Sequence, residues 1–201
     1  MDILELIKDT ISVESKAVQN LLGQIDQSFH EAIDLLKNCQ GKVVIVGIGK
    51  SGIIGKKIAA SFSSTGTPSF FVHACEAVHG DSGMIEHSDV VILISNSGET
   101  WEVLDVLPIL DQVGCKKICI TSQKNSTLAN NSNVALIYHY DREADHLNLA
   151  PTTSAVLALV VGDSLAVTLS KIKGFEKEDF HRYHPGGSLG AQLTTATDEG
   201  A

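Results

Sequence analysis

Apolar positions along the chain change their period near residue 40. Ile3, Leu6 and Ile7, then Ala17, Val18, Leu21 and Leu22, recur at three- and four-residue spacing, and Ile25, Phe29, Ile33 and Leu36 do so again beyond Gly23. That spacing collects them on one face of a helix, so residues 1–40 are expected to form two amphipathic N-terminal helices. Short unbroken apolar runs rich in β-branched residues follow: Val43–Val46, Phe70–Val72, Val90–Ile94, Ile118–Ile120 and Val134–Ile137. Such runs suit strands buried on both faces of a parallel sheet. Helix-forming intervals separate them: Gly52–Phe62, Trp101–Gln112, a short one near Ser126–Asn130, and a longer one from about Thr152 to Lys173. Alternating strands and helices predict an α/β class, a flavodoxin- or Rossmann-like three-layer α/β/α sandwich around a five-stranded parallel sheet. No repeat, low-complexity tract or Pro/Gly-rich linker divides the chain, so 1–193 is expected to be one domain and the polar stretch 194–201 a disordered tail.

Composition narrows the class of partner. A chain of 201 residues can bury about 70% of its extended surface, enough for a core without disulfides or structural metal. With 15 Lys+Arg against 24 Asp+Glu, the net charge of −9 opposes binding to a polyanion, so no nucleic acid is expected. A single phosphate ester stays open, because backbone N–H groups and hydroxyls bind one without fixed positive charge. Charged residues make up 19%, below the usual share of about 25%, which suggests surface covered by other subunits. Cys39, Cys75, Cys115 and Cys119 form no C-x₂-C pair and read as reduced core thiols. His73, His139 and His146 lack partners at metal-ligand spacing, so neither a dedicated metal site nor a cofactor is expected. Asp2, Glu5, Lys8 and Asp9 crowd the first turns, and the apolar stretch Ala155–Val161 stops at Gly162-Asp163. Neither a signal peptide nor a membrane span is therefore expected, and the expected address is the cytoplasm.

In open α/β sheets ligands sit beyond the C-terminal ends of the strands. The loops to consider are Gly47–Gly52, His73–Gly83, Ser95–Thr100, Thr121–Ser126 and Tyr138–Thr153. The first matches G-x-G-x-x-G, but a dinucleotide site wants an acid ending the next strand, which here ends in Val72-His73. A P-loop would need glycine where Val44 stands. What remains is a tight turn into a helix N-terminus carrying Lys50; a glycine-rich turn with a solvated Lys50 is the plainer alternative. The third loop, Ser95-Asn96-Ser97-Gly98-Glu99-Thr100, brings three hydroxyls and a glycine to one helix start. Hydroxyls and amides together complement a phosphate, whereas helix capping alone explains only one of the three.

These loops resemble the sugar isomerase (SIS) domain, a phosphosugar-binding fold, and are most similar to the isomerase domain of arabinose-5-phosphate isomerases. The resemblance covers nearly the whole chain. It is carried by Gly47-Ile48-Gly49-Lys50-Ser51-Gly52, Ser64-Thr65-Gly66-Thr67-Pro68, His79-Gly80-Asp81, Ser95-Asn96-Ser97-Gly98-Glu99, Leu149-Ala150-Pro151-Thr152-Thr153-Ser154 and His184-Pro185-Gly186-Gly187. It implies metal-independent interconversion of D-ribulose 5-phosphate and D-arabinose 5-phosphate in a homotetramer with shared active sites. It further implies catalytic roles for Glu99, Glu143 and Lys50, and ring opening by His184. Substrate contacts are implied from Gly49, Ser51, His79, Ser95, Asn96, Ser97, Thr100, Thr152, Thr153 and Ser154, with Ser51, Ser95, Ser97 and Thr100 on the phosphate.

His79 matches a family histidine that collects inhibitory zinc, although a His79–Asp81 pair orienting a loop fits equally. Moving a proton between C1 and C2 of an open-chain sugar phosphate needs an acid/base, a polariser and a phosphate anchor, and these residues supply each. Two departures from the family pattern stand out. Many relatives continue into paired cystathionine-β-synthase-type regulatory domains, so regulation by that module is expected to be absent. Where they often run Ala-Cys-Pro-Leu-Gly-Leu, this chain has Ala144-Asp145-His146-Leu147-Asn148-Leu149, adding charge and an imidazole to a loop expected to reach the sugar. A non-catalytic phosphosugar sensor and an isomerase of 6-phospho-3-hexulose are the alternatives.

Overall fold

A computed structural model describes residues 2–186. The tail 194–201 and the end of the expected domain at 193 lie outside the described residues. In chain order the elements are α1 (Ile3–Leu21), α2 (Gln27–Lys37), β1 (Val43–Gly47), α3 (Gly49–Ser64), β2 (Ser69–His73), α4 (Ala74–Ala77), β3 (Val90–Ile94), α5 (Trp101–Leu104), α6 (Leu107–Val113), β4 (Lys116–Thr121), α7 (Thr127–Asn130), β5 (Val134–Ile137), α8 (Thr153–Ile172) and α9 (Lys177–Tyr183).

All five strands are parallel, in the order β2-β1-β3-β4-β5. Each apolar run splits by alternation, because successive side chains point to opposite faces. Ile45, Ile92, Ile94, Ile118, Ile120 and Leu136 meet α1, α2, α3 and α8 on one face. Val44, Val46, Val91, Leu93 and Cys119 meet α4, α5, α6 and α7 on the other. Two cores share one sheet, which is the expected three-layer sandwich. The edge strands are less covered than the apolar runs suggest: β2 is mostly half-buried and β5 alternates, since each has a neighbour on one side only.

The expected helix over Trp101–Gln112 is two helices. Pro108 has no N–H to donate to the carbonyl of Leu104, so the ladder breaks after one turn and restarts as α6. Helix α9 lay outside the sequence expectation; a capping box joins Glu176 to Asp179 at its start. Helix α8 is the one described helix long and apolar enough to cross a bilayer by composition alone. Its apolar side chains go between the sheet and α3 on one side and α1 and α2 on the other. The thiols of Cys115 and Cys119 are buried and free, and burial pushes the Cys119 thiol up to about 11.

Candidate functional site

Strand order reverses between β1 and β3, and the loops leaving these two strands diverge there, opening a crevice at the C-terminal end of the sheet. The glycine-rich turn after β1 and the hydroxyl-rich loop after β3 both lie at this end. Gly49 opens α3, and Lys50 is exposed in its first turn, with no ion pair among the described residues. Ser51 beside it is half-buried.

Within the β3 loop the hydroxyls are partly occupied by each other. Ser95, 2% exposed, lies 2.8 Å from the Thr100 hydroxyl and accepts the Gly98 N–H at 3.0 Å. Ser97 Oγ accepts the Glu99 N–H at 3.1 Å and is itself exposed. Gly98 is needed here for two reasons: its φ is +64°, and an added Cβ would lie 2.1 Å from Ser126 Oγ. Glu99 accepts the Thr127 N–H at 2.7 Å, so one of its oxygens caps α7. Glu102, in the first turn of α5, is half-buried, and no hydrogen bond engages its carboxylate among the described residues. It is a second acid at this helix start that the sequence reading passed over.

Glu143 is the most constrained acid of the cleft, 6% exposed and docked on the start of α8. Its Oε2 accepts the Thr152 N–H at 2.9 Å, the Thr152 hydroxyl at 3.1 Å and the Ser154 N–H at 3.1 Å. Its Oε1 accepts the Tyr140 hydroxyl at 3.1 Å. Burial alone would raise its pKa, but the donors on Ser154 and Thr152 outweigh that and hold the carboxyl below its ordinary value. Glu143 is therefore ionised at neutral pH. Thr152 and Ser154, expected on the substrate, serve here to hold this carboxylate. Thr153, at 1% exposure, keeps a buried hydroxyl without a partner.

The loop from 144 to 149 is built by the residues that depart from the family pattern. Asn148, at φ +55°, accepts the Glu143 N–H at 2.7 Å, and Asp145 Oδ2 accepts the N–H groups of Leu149 and Ala150. Asp145 is committed to its own backbone, and His146 points into solvent.

A cavity of about 410 Å³, within the range of small-ligand pockets, opens beyond β3, β4 and β5, lined by Asn96, Ser122, Gln123, His139, Tyr140 and Glu143 among others. A second, of about 420 Å³, continues from Ser122, Gln123 and His139 to Ser97, Glu99 and Ser126. The cleft thus runs from the Glu143 carboxylate at one end to the Ser97 and Ser126 hydroxyls and the Glu99 carboxylate at the other. Tyr138, Tyr140, Gln123 and Ser122 were not singled out from sequence; only their place at strand ends could have flagged them.

Of the expected residues, Asn96, Ser97, Glu99 and Glu143 line these two cavities; Gly49, Lys50, Ser51, Ser95, Thr100, Thr152, Thr153 and Ser154 do not, and neither do His79 and His184. His79 is exposed after α4, no hydrogen bond joins it to Asp81, and no metal-binding cluster occurs among the described residues. His184 follows α9 at the other end of the sheet. Helix α8 rises about 1.5 Å per residue over its 20 residues, about 30 Å away from Glu143. Beyond it Lys173 bonds Thr67, Phe175 covers Gly66, and Tyr183 stacks on Phe175, all at the N-terminal edge of the strands. There His184 stacks on Phe180 with ring centroids 3.9 Å apart.

The family profile described as SIS domain matches residues 35–168. The chain is 50% identical over 193 residues to a probable arabinose 5-phosphate isomerase of Haemophilus influenzae, covering 96% of this chain and 57% of that protein. It is 48% identical over 190 residues to the arabinose 5-phosphate isomerase KpsF of Escherichia coli O6:H1, covering 94% and 58%. The chain thus spans under three-fifths of the length of these curated relatives. A chain from Escherichia coli CFT073, solved in complex with arabinose 5-phosphate, superposes with a TM-score of 0.89 at 49% identity, covering 92% of this chain and 100% of that one.

Proposed function

The chain belongs to the SIS domain family, and on that premise we propose that it is an aldose–ketose isomerase interconverting D-ribulose 5-phosphate and D-arabinose 5-phosphate. The observation that carries this reading is the buried, ionised Glu143 opening on the same polar cleft as the hydroxyl-rich β3 loop. In the open-chain aldose a base removes the C2 proton, a C1=C2 enediol forms as O1 takes a proton, and C1 is then protonated as the C2 oxygen gives up its own. Glu143 is the base, through Oε1, because three donors saturate Oε2. Lys50 is the cation for the developing enediolate. The phosphate lies toward Ser97 and Ser51, with Ser95, Asn96 and Thr100 shaping the loop that receives it. Glu99, or Glu102 three residues on, supplies the second carboxylate. The polar groups added in residues 144–149, expected to reach the sugar, build the loop instead through Asn148 and Asp145.

The reading extends to a homo-oligomer with shared sites. His184 follows α9, beyond the far end of α8, a helix about 30 Å long on whose start Glu143 docks, and it contributes only if another copy presents it. An apolar groove of about 760 Å³ between α1, α2 and α8, together with exposed Ile3, Leu4, Leu6, Ile7 and Ile11 on α1, offers the surface such copies would bury. The test is incubation with ribulose 5-phosphate in D₂O, following arabinose 5-phosphate and deuterium at C2 by NMR. Folded protein without turnover overturns the reading, and faster turnover of six-carbon ketose phosphates transfers it to a hexulose isomerase.

A further inference from the structure

Four polar side chains from two segments, Asn96 after β3 and Tyr138, Tyr140 and Glu143 after β5, form a one-way chain of hydrogen bonds behind the cleft. Tyr138, 1% exposed, donates its hydroxyl to Asn96 Oδ1 at 2.9 Å. Asn96 Nδ2 donates to Tyr140 Oη at 3.0 Å, and Tyr140 donates to Glu143 Oε1 at 3.1 Å. The end of the chain sets its direction. An ionised carboxylate only accepts, so Tyr140 must donate to it and accept from an amide N–H, which turns Asn96 Oδ1 toward Tyr138. Asn96 is itself immobilised: its carbonyl accepts from the Ser122 N–H at 3.0 Å, the Ser122 hydroxyl at 2.8 Å and the Thr121 hydroxyl at 3.1 Å.

We infer that Tyr140 is a positioning residue for Glu143, the last donor of a relay that ties the reacting oxygen to the β3 loop through Asn96 and Tyr138. The inference rests on the isomerase reading for its kinetic consequence, but not for its geometry. Each donor in the relay polarises the next, so removing one weakens those downstream of it. The Tyr140 hydroxyl stabilises the ionised carboxylate over the neutral one and fixes which lone pair of Oε1 faces the cleft. Burial raises the pKa of both phenols, so each remains a donor across the working range.

Other charges face Glu143 from the packed elements. Arg142 is adjacent and pairs with Asp9 of α1; Asp141 pairs with Lys16 of α1; Asp145 pairs with His146; and His139 lines the same cavity. No charged group of the β3 loop or of the first turn of α8 bonds the carboxylate.

The experiment compares wild type with Tyr140→Phe and Tyr138→Phe, which delete single hydroxyls and keep the rings. Tyr140→Phe is expected to lower kcat roughly tenfold with KM within about twofold, and to move the acid limb of the kcat profile to higher pH. Tyr138→Phe should act in the same direction but less, and the double variant should fall short of the summed effects. A ¹³C titration of the Glu143 carboxyl in the substrate-free protein reads the same shift without any substrate. An upward shift there in Tyr140→Phe supports the relay even if pentose phosphates are not turned over, in which case only the substrate assignment falls. An unchanged carboxyl titration in a variant with native thermal unfolding overturns the inference. A KM rise at unchanged kcat also overturns it, reassigning Tyr140 to substrate binding.

Discussion

Replacing Glu143 tests whether this carboxylate holds the start of α8 as well as opening on the cleft. In Glu143→Gln the shape is kept, and one oxygen can still face Thr152 and Ser154 while Tyr140 turns to accept from the new amide. What disappears is the negative charge at the N-terminus of a 20-residue helix, worth up to about 2 kcal/mol in a partly buried setting. A loss of about 1–2 kcal/mol follows, or roughly 3–6 °C in Tm for a chain of this size. Glu143→Ala is expected to cost about 3–5 kcal/mol, because the N–H groups of Thr152 and Ser154 and the Tyr140 hydroxyl lose their acceptor and a cavity opens.

The native carboxyl titrates below its unfolded value, so its stabilisation is complete above the unfolded pKa of about 4.3 and fades as pH falls through the lower native value. Urea or thermal unfolding from pH 7 down to about 3.5 should therefore show the gap between wild type and Glu143→Gln closing in acid. Equal stabilities at neutral pH, or a gap that widens in acid, would refute the account. Turnover by Glu143→Gln should fall by about 10²–10⁴ while the protein remains folded.

Mixing His184→Ala with Glu143→Gln protein, after dissociation and reassembly, should restore turnover if sites are shared between copies; no recovery in mixed oligomers would place His184 outside the site. Glu99→Gln keeps an acceptor for the Thr127 N–H, whereas no hydrogen bond engages the half-buried Glu102 carboxylate among the described residues, leaving it free to meet a ligand, so Glu102→Gln should cost more turnover than Glu99→Gln. Gly162→Ala on α8 should lower stability by about 1–2 kcal/mol in chemical denaturation. Its Cβ would fall 2.3 Å from Cδ1 of the buried Ile58 on α3, and that overpacking outweighs a helix-propensity gain of about 1 kcal/mol.

Much of the architecture is local and was legible. Strands Val90–Ile94 and Val134–Ile137 begin and end where their apolar runs do, and the break between α1 and α2 falls at Gly23. The split of α5 from α6 was also written in the sequence, in Pro108, but a helical periodicity that continued through it masked the stop. Helix α9 was missed because its start is marked by an acidic capping pair and not by Ser or Thr. The hydroxyls of Ser95 and Thr100 were read as free for a ligand, yet they bond each other, a pairing across five residues that composition does not reveal.

The amino-acid order by itself determined an α/β chain with five parallel strands and with its polar, glycine-rich segments at strand ends, because periodicity and turn chemistry act over a few residues. The tertiary structure alone decided what those segments do together. Asn96 meets Tyr138 and Tyr140 more than 40 residues away, Glu143 docks on α8, and His184 is carried to the far end of the sheet by the length of that same helix. The physical reason is that hydrogen-bond partners are selected by strand order and helix packing, which sum contributions from the whole chain, and no local window contains them.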